Sequence, residues 1–483
     1  MDEILRIDNL TVAFGDGPEE SVAVKGVSLG LAPGETLALV GESGCGKTVL
    51  CKSILHILCS RGRIKAGSIF LKERDITHAS EKEMNACRGR DAAMVFQDPM
   101  TSLDPAFGVG EQIAESMRIH GGISRKEARE KAVELLELLH IPGGAESYSR
   151  KPYQFSGGQR QRIAIAVAVA AGPKLLLADE PTTALDEETQ GEILTMLRDV
   201  CRSMGMAMIF ITHDLSLVEE MASRVAVMKN GQILETGPVE QVFAHPSHEY
   251  TKKLLGYLDY GRDRGHNHRG GSVPGDVILS VEGLTKAYRS GRKAAAAVLE
   301  NFSMEIRAGE VVGLVGRSGC GKTTLARCIM GLEKPDAGSI RMAEGAGVQM
   351  IFQDTGFAFN DKMTVEEIIA EPLVIRGGFS RSEIRDKVSE AMKAVELDPE
   401  LRCRHPYRLS GGQRQRAAIA RALICEPDLI VADEPLTGLD VTAQAQIVHL
   451  LRELSASRGL AVLFIAHDLP MVNHVSHRII RMI

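Results

Sequence analysis

Two short glycine-rich stretches carry the residues best suited to chemistry in this chain: "GESGCGKT" at 41–48 and "GRSGCGKT" at 316–323. Glycines at this spacing let the backbone curl so that its N–H groups point at phosphate oxygens, and a helix starting at the lysine adds partial positive charge. Gly41, Ser43, Gly44, Cys45 and Gly46 would form the first cradle, and Gly316, Ser318, Gly319, Cys320 and Gly321 the second. Lys47 and Lys322 would bridge β- and γ-phosphates, and the hydroxyls of Thr48 and Thr323 would ligate Mg²⁺. One such loop is a weak signal. Two, each between an expected buried strand ("TLALV", "VVGLV") and an expected helix start, are not accidental.

Two acidic strand ends repeat in the same way. "KLLLADE" and "DLIVADE" are continuous apolar runs, the pattern of strands buried on both faces of a parallel sheet. Ligands of such sheets sit at the carboxyl ends of the strands. Asp179 and Asp433 would then hold Mg²⁺ through water, while Glu180 and Glu434 would orient or deprotonate an attacking water. The alternative is a pair of acids capping the turn at the following proline. His213 and His467 each follow another apolar run, 33 residues beyond the glutamate, and would hydrogen-bond the γ-phosphate. Gln97 in "MVFQD" and Gln353 in "MIFQD" would reach Mg²⁺ and the water.

These residues require elements to hold them, and the elements occur twice. "SGGQRQR" at 156–162 returns at 410–416, and "LLLADEPTTALD" at 175–186 is echoed by "LIVADEPLTGLD" at 429–440. The back halves share one offset of 254 residues, but the glycine loops are offset by 275, so about 20 residues are missing between loop and "IFQD" in the second unit. This period is too long for a solenoid. It implies two full domains, at 1–258 and 277–483. The polar, Gly-rich "YGRDRGHNHRGGSVPGD" region gives a flexible linker at 259–276. His266 and His268 in that stretch are read as solvated linker, with metal binding as the alternative. The first unit continues through "NGQI", a tight turn before a strand, into "HPSHEYTKKLL"; the second ends near the equivalent of Arg224, at Arg478.

Composition narrows the class. A net charge of −6 argues against a general nucleic-acid binder, which would carry a basic stripe. The start "MDEILRIDNL" lacks the basic and apolar regions of a signal peptide. "IAIAVAVAA" at 163–171 is too short to span a bilayer and reads as a buried helix. Nine cysteines without paired spacing read as reduced thiols. Oxidation sensitivity at Cys45 and Cys320 is a reading that nothing in the sequence requires.

The fixed order of glycine loop, Gln, Ser-Gly-Gly-Gln, Asp-Glu and His resembles the ATP-binding cassette ATPases over nearly the whole chain, twice. The resemblance implies an α/β fold of two P-loop NTPase domains in tandem. Each would have a RecA-like core, an N-terminal antiparallel β region and a helical subdomain, near 98–165 and 354–420. It implies two cassettes paired head to tail, each ATP lying between the loop of one and the Ser-Gly-Gly-Gln of the other. Lys47 would thus share ATP with Ser410, Gly411, Gly412 and Gln413, and Lys322 with Ser156, Gly157, Gly158 and Gln159. Asp186 and Asp440 would sit at the seam, and Phe14 and Tyr288 would stack on adenine. The cofactors implied are ATP and Mg²⁺, with both sites competent to hydrolyse.

Within that family, "FQDPMTSLDP" and "HPSHEYTKKLL" resemble the oligopeptide, dipeptide and nickel importer ATPases, and "LSGGQRQRAAIARAL" resembles their partner ATPase. A fusion of the two would serve at the cytoplasmic face of the membrane. It would act with two integral-membrane permease subunits and an extracytoplasmic solute-binding protein, importing peptides, nickel or metal chelates. "FQDTGFAFND" departs from the pattern of the first unit and bears on permease docking. The alternative is a soluble tandem ATPase acting on an enzyme or ribosome. The short glycine-rich linker argues against the ribosome-acting members.

Overall fold

The buried hydrophobic runs form the central strands in both halves. The computed structural model describes residues 3–17, 20–59, 61–183, 185, 187–262, 275–288, 296–317, 319–353, 358–466 and 469–482. Ser318, His467, Asp186 and the linker histidines His266 and His268 therefore lie outside the described residues. The chain divides into two units, Met1–Leu255 and Gly256–Ile483.

In the first unit, β1 (Leu5–Phe14) pairs antiparallel with β2 (Ser21–Leu31) and with β4 (Gly62–Leu71), which is edged by β5 (Arg74–Asp75). A second sheet holds β3 (Thr36–Val40), β6 (Ala92–Val95), β7 (Leu175–Asp179), β8 (Ala207–Ile211), β9 (Arg224–Lys229) and β10 (Gln232–Pro238). Its order is β10-β9-β3-β8-β7-β6, parallel except for β10. Every residue of β6, β7 and β8 is buried. This is why these strands carry no alternation of polar and apolar residues. Strand order matters for function: β8 lies between β3 and β7, so the ends of these three strands, with that of β6, open on one edge.

The helices Val109–Gly121, Arg125–Leu138 and Gly157–Val169 share a second core with β6 and β7. "IAIAVAVAA" is indeed buried helix: Ile163, Ile165, Ala166 and Val169 have no exposed surface. No helix among the described residues is long and apolar enough to cross a membrane. All nine cysteines are unpaired.

The second unit repeats the plan with less material. Strands β11 (Val277–Tyr288), β12 (Ala296–Arg307) and β14 (Ala337–Met342) form a three-stranded antiparallel sheet. The parallel sheet runs β15-β16-β17-β13-β18, with β13 (Val311–Gly316), β15 (Val348–Ile351), β16 (Leu429–Asp433), β17 (Ala461–Ala466) and β18 (Arg478–Met482). Between Met342 and Val348 there is only a turn, where the first unit has β5 and the helix Glu81–Cys87. The missing residues therefore trim the sheet edge and leave the core intact. One ion pair recurs at the foot of both parallel sheets: Arg224 to Glu35 at 2.8 Å, and Arg478 to Glu310 at 2.5 Å.

One boundary differs from the sequence reading. The helix Glu249–Arg262 continues past residue 258, so regular structure occupies the start of the expected 259–276 linker. No proline follows Pro246 before the helix ends, and Leu254, Leu255 and Tyr257 keep helical spacing. The "NGQI" turn is as expected, with Asn230 at φ 49° and Gly231 at φ 85° joining β9 to β10. From β10, Glu235 accepts from the Ser247 backbone at 2.7 Å and the His248 backbone at 3.1 Å, fixing the start of the Glu249–Arg262 helix.

Burial pushes the Glu235 carboxyl up, but the hydrogen bonds it accepts hold it down at about 2. A carboxylate depressed in the folded state stabilises above its unfolded pKa and loses that contribution as pH falls through the folded value. Glu235→Gln should therefore lower the melting temperature at neutral pH. The gap from wild type should narrow as pH falls from about 4.5 toward about 2, as measured by thermal denaturation across that range.

Candidate functional site

Gly46 ends the first glycine loop and caps the helix Lys47–Ile54 at φ 108°; Gly321 does the same for Lys322–Ile329 at φ 102°. An added Cβ would lie 2.5 Å from the Ala23 carbonyl oxygen at Gly46 and 2.6 Å from that of Val298 at Gly321. Both conformation and space therefore demand glycine. The lysines that follow are buried, 5% and 6% exposed. Lys47 Nζ donates to the carbonyls of Gly41 (2.7 Å) and Glu42 (2.8 Å), and Lys322 Nζ to those of Gly316 (2.6 Å) and Arg317 (3.0 Å). The ammonium thus ties each loop's first turn to its last. Cys45 lies buried 3.7 Å from Lys47 Nζ, and burial pushes its thiol up, which opposes oxidation through a thiolate.

The acids lie where the strand order requires. Thr48 Oγ1 donates to Asp179 at 2.9 Å, joining the end of β7 to the start of the loop's helix. Asp179 and Asp433 are 3% and 2% exposed. Burial raises both carboxyls, opposed by the hydrogen bonds from Thr48 and Thr323. Asp433 Oδ1 is buried without a hydrogen-bond partner. Buried carboxylate beside a threonine hydroxyl is a hard-oxygen set that suits a divalent cation, which would offset the burial of charge. These residues fit Mg²⁺.

Glu180 and Glu434 leave their strands in the left-handed region, at φ 45° and 46°. That conformation costs a non-glycine residue roughly 1–2 kcal/mol. It is held by the glutamate N–H donating to Ile211 (3.1 Å) and to Ile465 (2.9 Å). The Glu180 carboxylate gathers three groups: Gln97 Nε2 at 3.0 Å, Thr183 Oγ1 at 3.0 Å and His213 Nδ1 at 3.2 Å. Glu434 receives Gln353 Nε2 at 2.7 Å and Thr437 Oγ1 at 3.3 Å. Burial pushes the Glu180 carboxyl up, but His213, Thr183 and Lys47 together outweigh it and the net shift is down. Burial pushes His213 down, and Glu180 reverses that shift to a net rise. The Glu180 carboxylate, held by three donors at the end of β7, is placed to orient a water.

Of the residues expected from sequence, the structure brings Gln97 and His213 onto Glu180, with Asp179 one residue before it on Thr48, and Gln353 onto Glu434, with Asp433 one residue before it. The sequence reading stopped there and missed Thr183 and Thr437, although "EPTT" and "EPLT" repeat at the shared offset. Ser156 and Ser410 are exposed helix caps. Each accepts from the glutamine three residues on (Gln159 N and Gln413 N, both 3.3 Å), and that glutamine's Oε1 accepts from the serine N–H. Gly158 lets the helix Glu187–Met204 approach, since a Cβ there would meet Thr189 Cγ2 at 2.4 Å. Phe14 is half-buried against the first core. Tyr288 is 41% exposed, and its hydroxyl bonds Glu333.

Gly46→Ala should destabilise the chain by roughly 1–3 kcal/mol in chemical denaturation, through strain at a positive φ. It should also abolish nucleotide binding at the first loop, as read by titration with a fluorescent ATP analogue.

Residues 24–183 and 299–437 match the family model described as ABC transporter. The chain is 39% identical to a glutathione import ATP-binding protein, GsiA, of Salmonella typhimurium, over 99% of this chain and 84% of that protein. It is 42% identical to a peptidoglycan transport ATP-binding protein, YejF, of Agrobacterium fabrum, over 99% and 91%. A solved dimeric ATP-binding cassette in a post-hydrolysis state, bound to ADP and phosphate, is 27% identical with a TM-score of 0.44, covering 49% of this chain and 98% of that one. With two matched cassettes in one polypeptide, each carrying its own loop, acid and glutamine, the chain belongs to the ABC transporter family of ATPases.

Proposed function

We propose that this ABC ATPase powers an importer and that its cargo is a peptide or peptide-like solute. The observation that carries the reading is whole-chain identity of 39–42% to two import or transport ATP-binding proteins whose printed cargoes, glutathione and peptidoglycan, contain peptide bonds. Nickel and metal chelates rest on the sequence resemblance alone.

The residues divide the work in each cassette. Loops 41–48 and 316–323 hold the phosphates, with Lys47 and Lys322 kept in place by two loop carbonyls and each offering its third N–H to them. Thr48, Gln97 and Asp179, with Thr323, Gln353 and Asp433, would hold Mg²⁺. The ion would neutralise charge on the phosphates. Glu180, fixed by Gln97, Thr183 and His213, orients the attacking water and accepts its proton; Glu434 does so in the second cassette. His467 would match His213, and Ser318 would complete the second loop. Phe14 and Tyr288 would stack on adenine. The caps at Ser156–Gln159 and Ser410–Gln413 would each complete the other cassette's site. A trans donor of this kind contributes on the order of 10²–10³ in rate, so hydrolysis would require pairing of the cassettes.

Work with two permease subunits at the cytoplasmic face and a solute-binding protein outside is supported by the likeness to import ATP-binding proteins. A groove of about 590 Å³ in the second unit offers a place for a permease segment. Leu332, Phe352, Phe359, Pro372 and Ile375 line it, beside Arg421. Leu332 and Ile375 are 61% and 79% exposed, apolar surface that a permease segment would cover.

Glu180→Gln combined with Glu434→Gln should bind ATP normally and lower steady-state hydrolysis by about 10²–10⁴. Normal turnover would remove the assigned bases. Co-expressed with the permease pair of a peptide importer, the chain should sediment with membranes and support uptake of labelled di- or tripeptides. Recovery wholly in the soluble fraction would favour the permease-free alternative.

A further inference from the structure

The first unit's loop is gripped from a second side. Gly41 and Glu42 share one peptide group. Its carbonyl accepts from Lys47 Nζ at 2.7 Å, and its N–H donates to the hydroxyl of Tyr250 at 3.3 Å. Tyr250 lies 208 residues away in sequence, at the start of the helix Glu249–Arg262. It is 7% exposed, Lys229 Nζ stands 4.2 Å over its ring, and its own N–H donates to His248 Nδ1 at 3.0 Å. His248 and Ser247 are in turn held by Glu235. The turn after β9 adds another hold, with Gly231 N–H donating to the Cys45 carbonyl at 2.9 Å.

We propose that Tyr250 is a positioning residue for Lys47, through which the segment 235–251 sets the affinity of the first cassette for ATP. Two bonds on opposite sides of one planar peptide fix its orientation, because the carbonyl cannot rotate without the N–H. Donating to Tyr250 also polarises the carbonyl that receives the lysine. Any partner that displaced the tail helix would loosen that peptide and the lysine with it. The proposal rests on loop 41–48 being a phosphate cradle.

The test is nucleotide binding by the full chain, using a fluorescent ATP analogue, in a Lys322→Ala background so that only the first loop reports. Tyr250→Phe keeps the ring under Lys229 and deletes only the hydroxyl. It should raise Kd about three- to tenfold, the effect of one hydrogen bond, with the melting temperature unchanged. Glu235→Gln, which loosens the anchor, should raise Kd in the same direction. In a Lys47→Ala background, where the second loop reports, Tyr250→Phe should leave Kd unchanged. A tyrosine with a merely structural role would instead lower the melting temperature on Tyr250→Leu while Tyr250→Phe bound ATP as wild type, and that result overturns the proposal. An equal rise in Kd at both loops overturns it as well. Undiminished binding by Lys47→Ala, Lys322→Ala together overturns the cradle assignment, and the inference with it.

Discussion

A buried lysine ammonium is the constraint around which each cassette is built. Lys47 and Lys322 are almost sealed from solvent. Left unpaired, a charge so placed would cost several kcal/mol. Two bonds to loop carbonyls, each worth roughly 1.5–3 kcal/mol for a charged donor, offset that cost. They exist only if the loop folds back over the lysine, and it folds back only with glycine at Gly46 and Gly321. The glycine spacing is therefore a condition for burying the charge as well as a way of exposing backbone N–H groups. Phosphate is the natural next partner for an ammonium already stripped of water.

The opposite charges follow the same economy. Asp179 and Asp433 are buried at the ends of β7 and β16, with threonine hydroxyls as partial compensation. Glu180 and Glu434, one residue on, accept backbone strain that turns them out of the strand toward the glutamine at the end of the next strand. Adjacent carboxylates are thus given different tasks by one change of φ. The acid that stays in strand geometry is sealed and suited to a cation; the one in the left-handed region reaches glutamine and threonine donors, and at Glu180 these, with His213, hold the carboxyl down. Both units repeat this change within one degree, at φ 45° and 46°. In both units the strained residue is the carboxylate that receives the glutamine.

Most of this chemistry was legible because it is local or repeated. Loop, acids and glutamines lie at strand ends, and the order of buried apolar runs announces the strands. The expected parallel core, the antiparallel β region and the trimmed second unit all follow from runs such as "KLLLADE" and from the change in offset between 254 and 275. What escaped is what depends on a long closure or a backbone angle. The Tyr250 hydroxyl meets the Glu42 N–H across 208 residues, and no periodicity encodes that. The left-handed glutamates look like ordinary strand ends in sequence, since glycine is the usual marker of positive φ and is absent there. The helix running through residues 259–262 was hidden by the polar composition that also suggested a linker.

Among the described residues, the two units share the loop lysine, the buried aspartate, the left-handed glutamate and the glutamine that meets it, but the loops are braced by different groups. In the first, the loop is tied to the β9–β10 turn through Gly231 and to the tail through Tyr250. In the second, β18 pairs directly with β13 up to Gly316, and the Met482 carbonyl lies 2.7 Å from where a Cβ on Gly316 would stand. Close packing of a neighbouring strand thus guards the first glycine of both loops, since Met228 plays that part at 2.0 Å in the first unit. The strand brace is built into the sheet and cannot be withdrawn without breaking the core. The tail brace is held by the hydrogen bonds around Glu235 and by the buried Tyr250, Thr251 and Leu254, so it can be withdrawn without breaking a strand pairing. The first loop is thus open to adjustment through the tail without disturbance of its sheet.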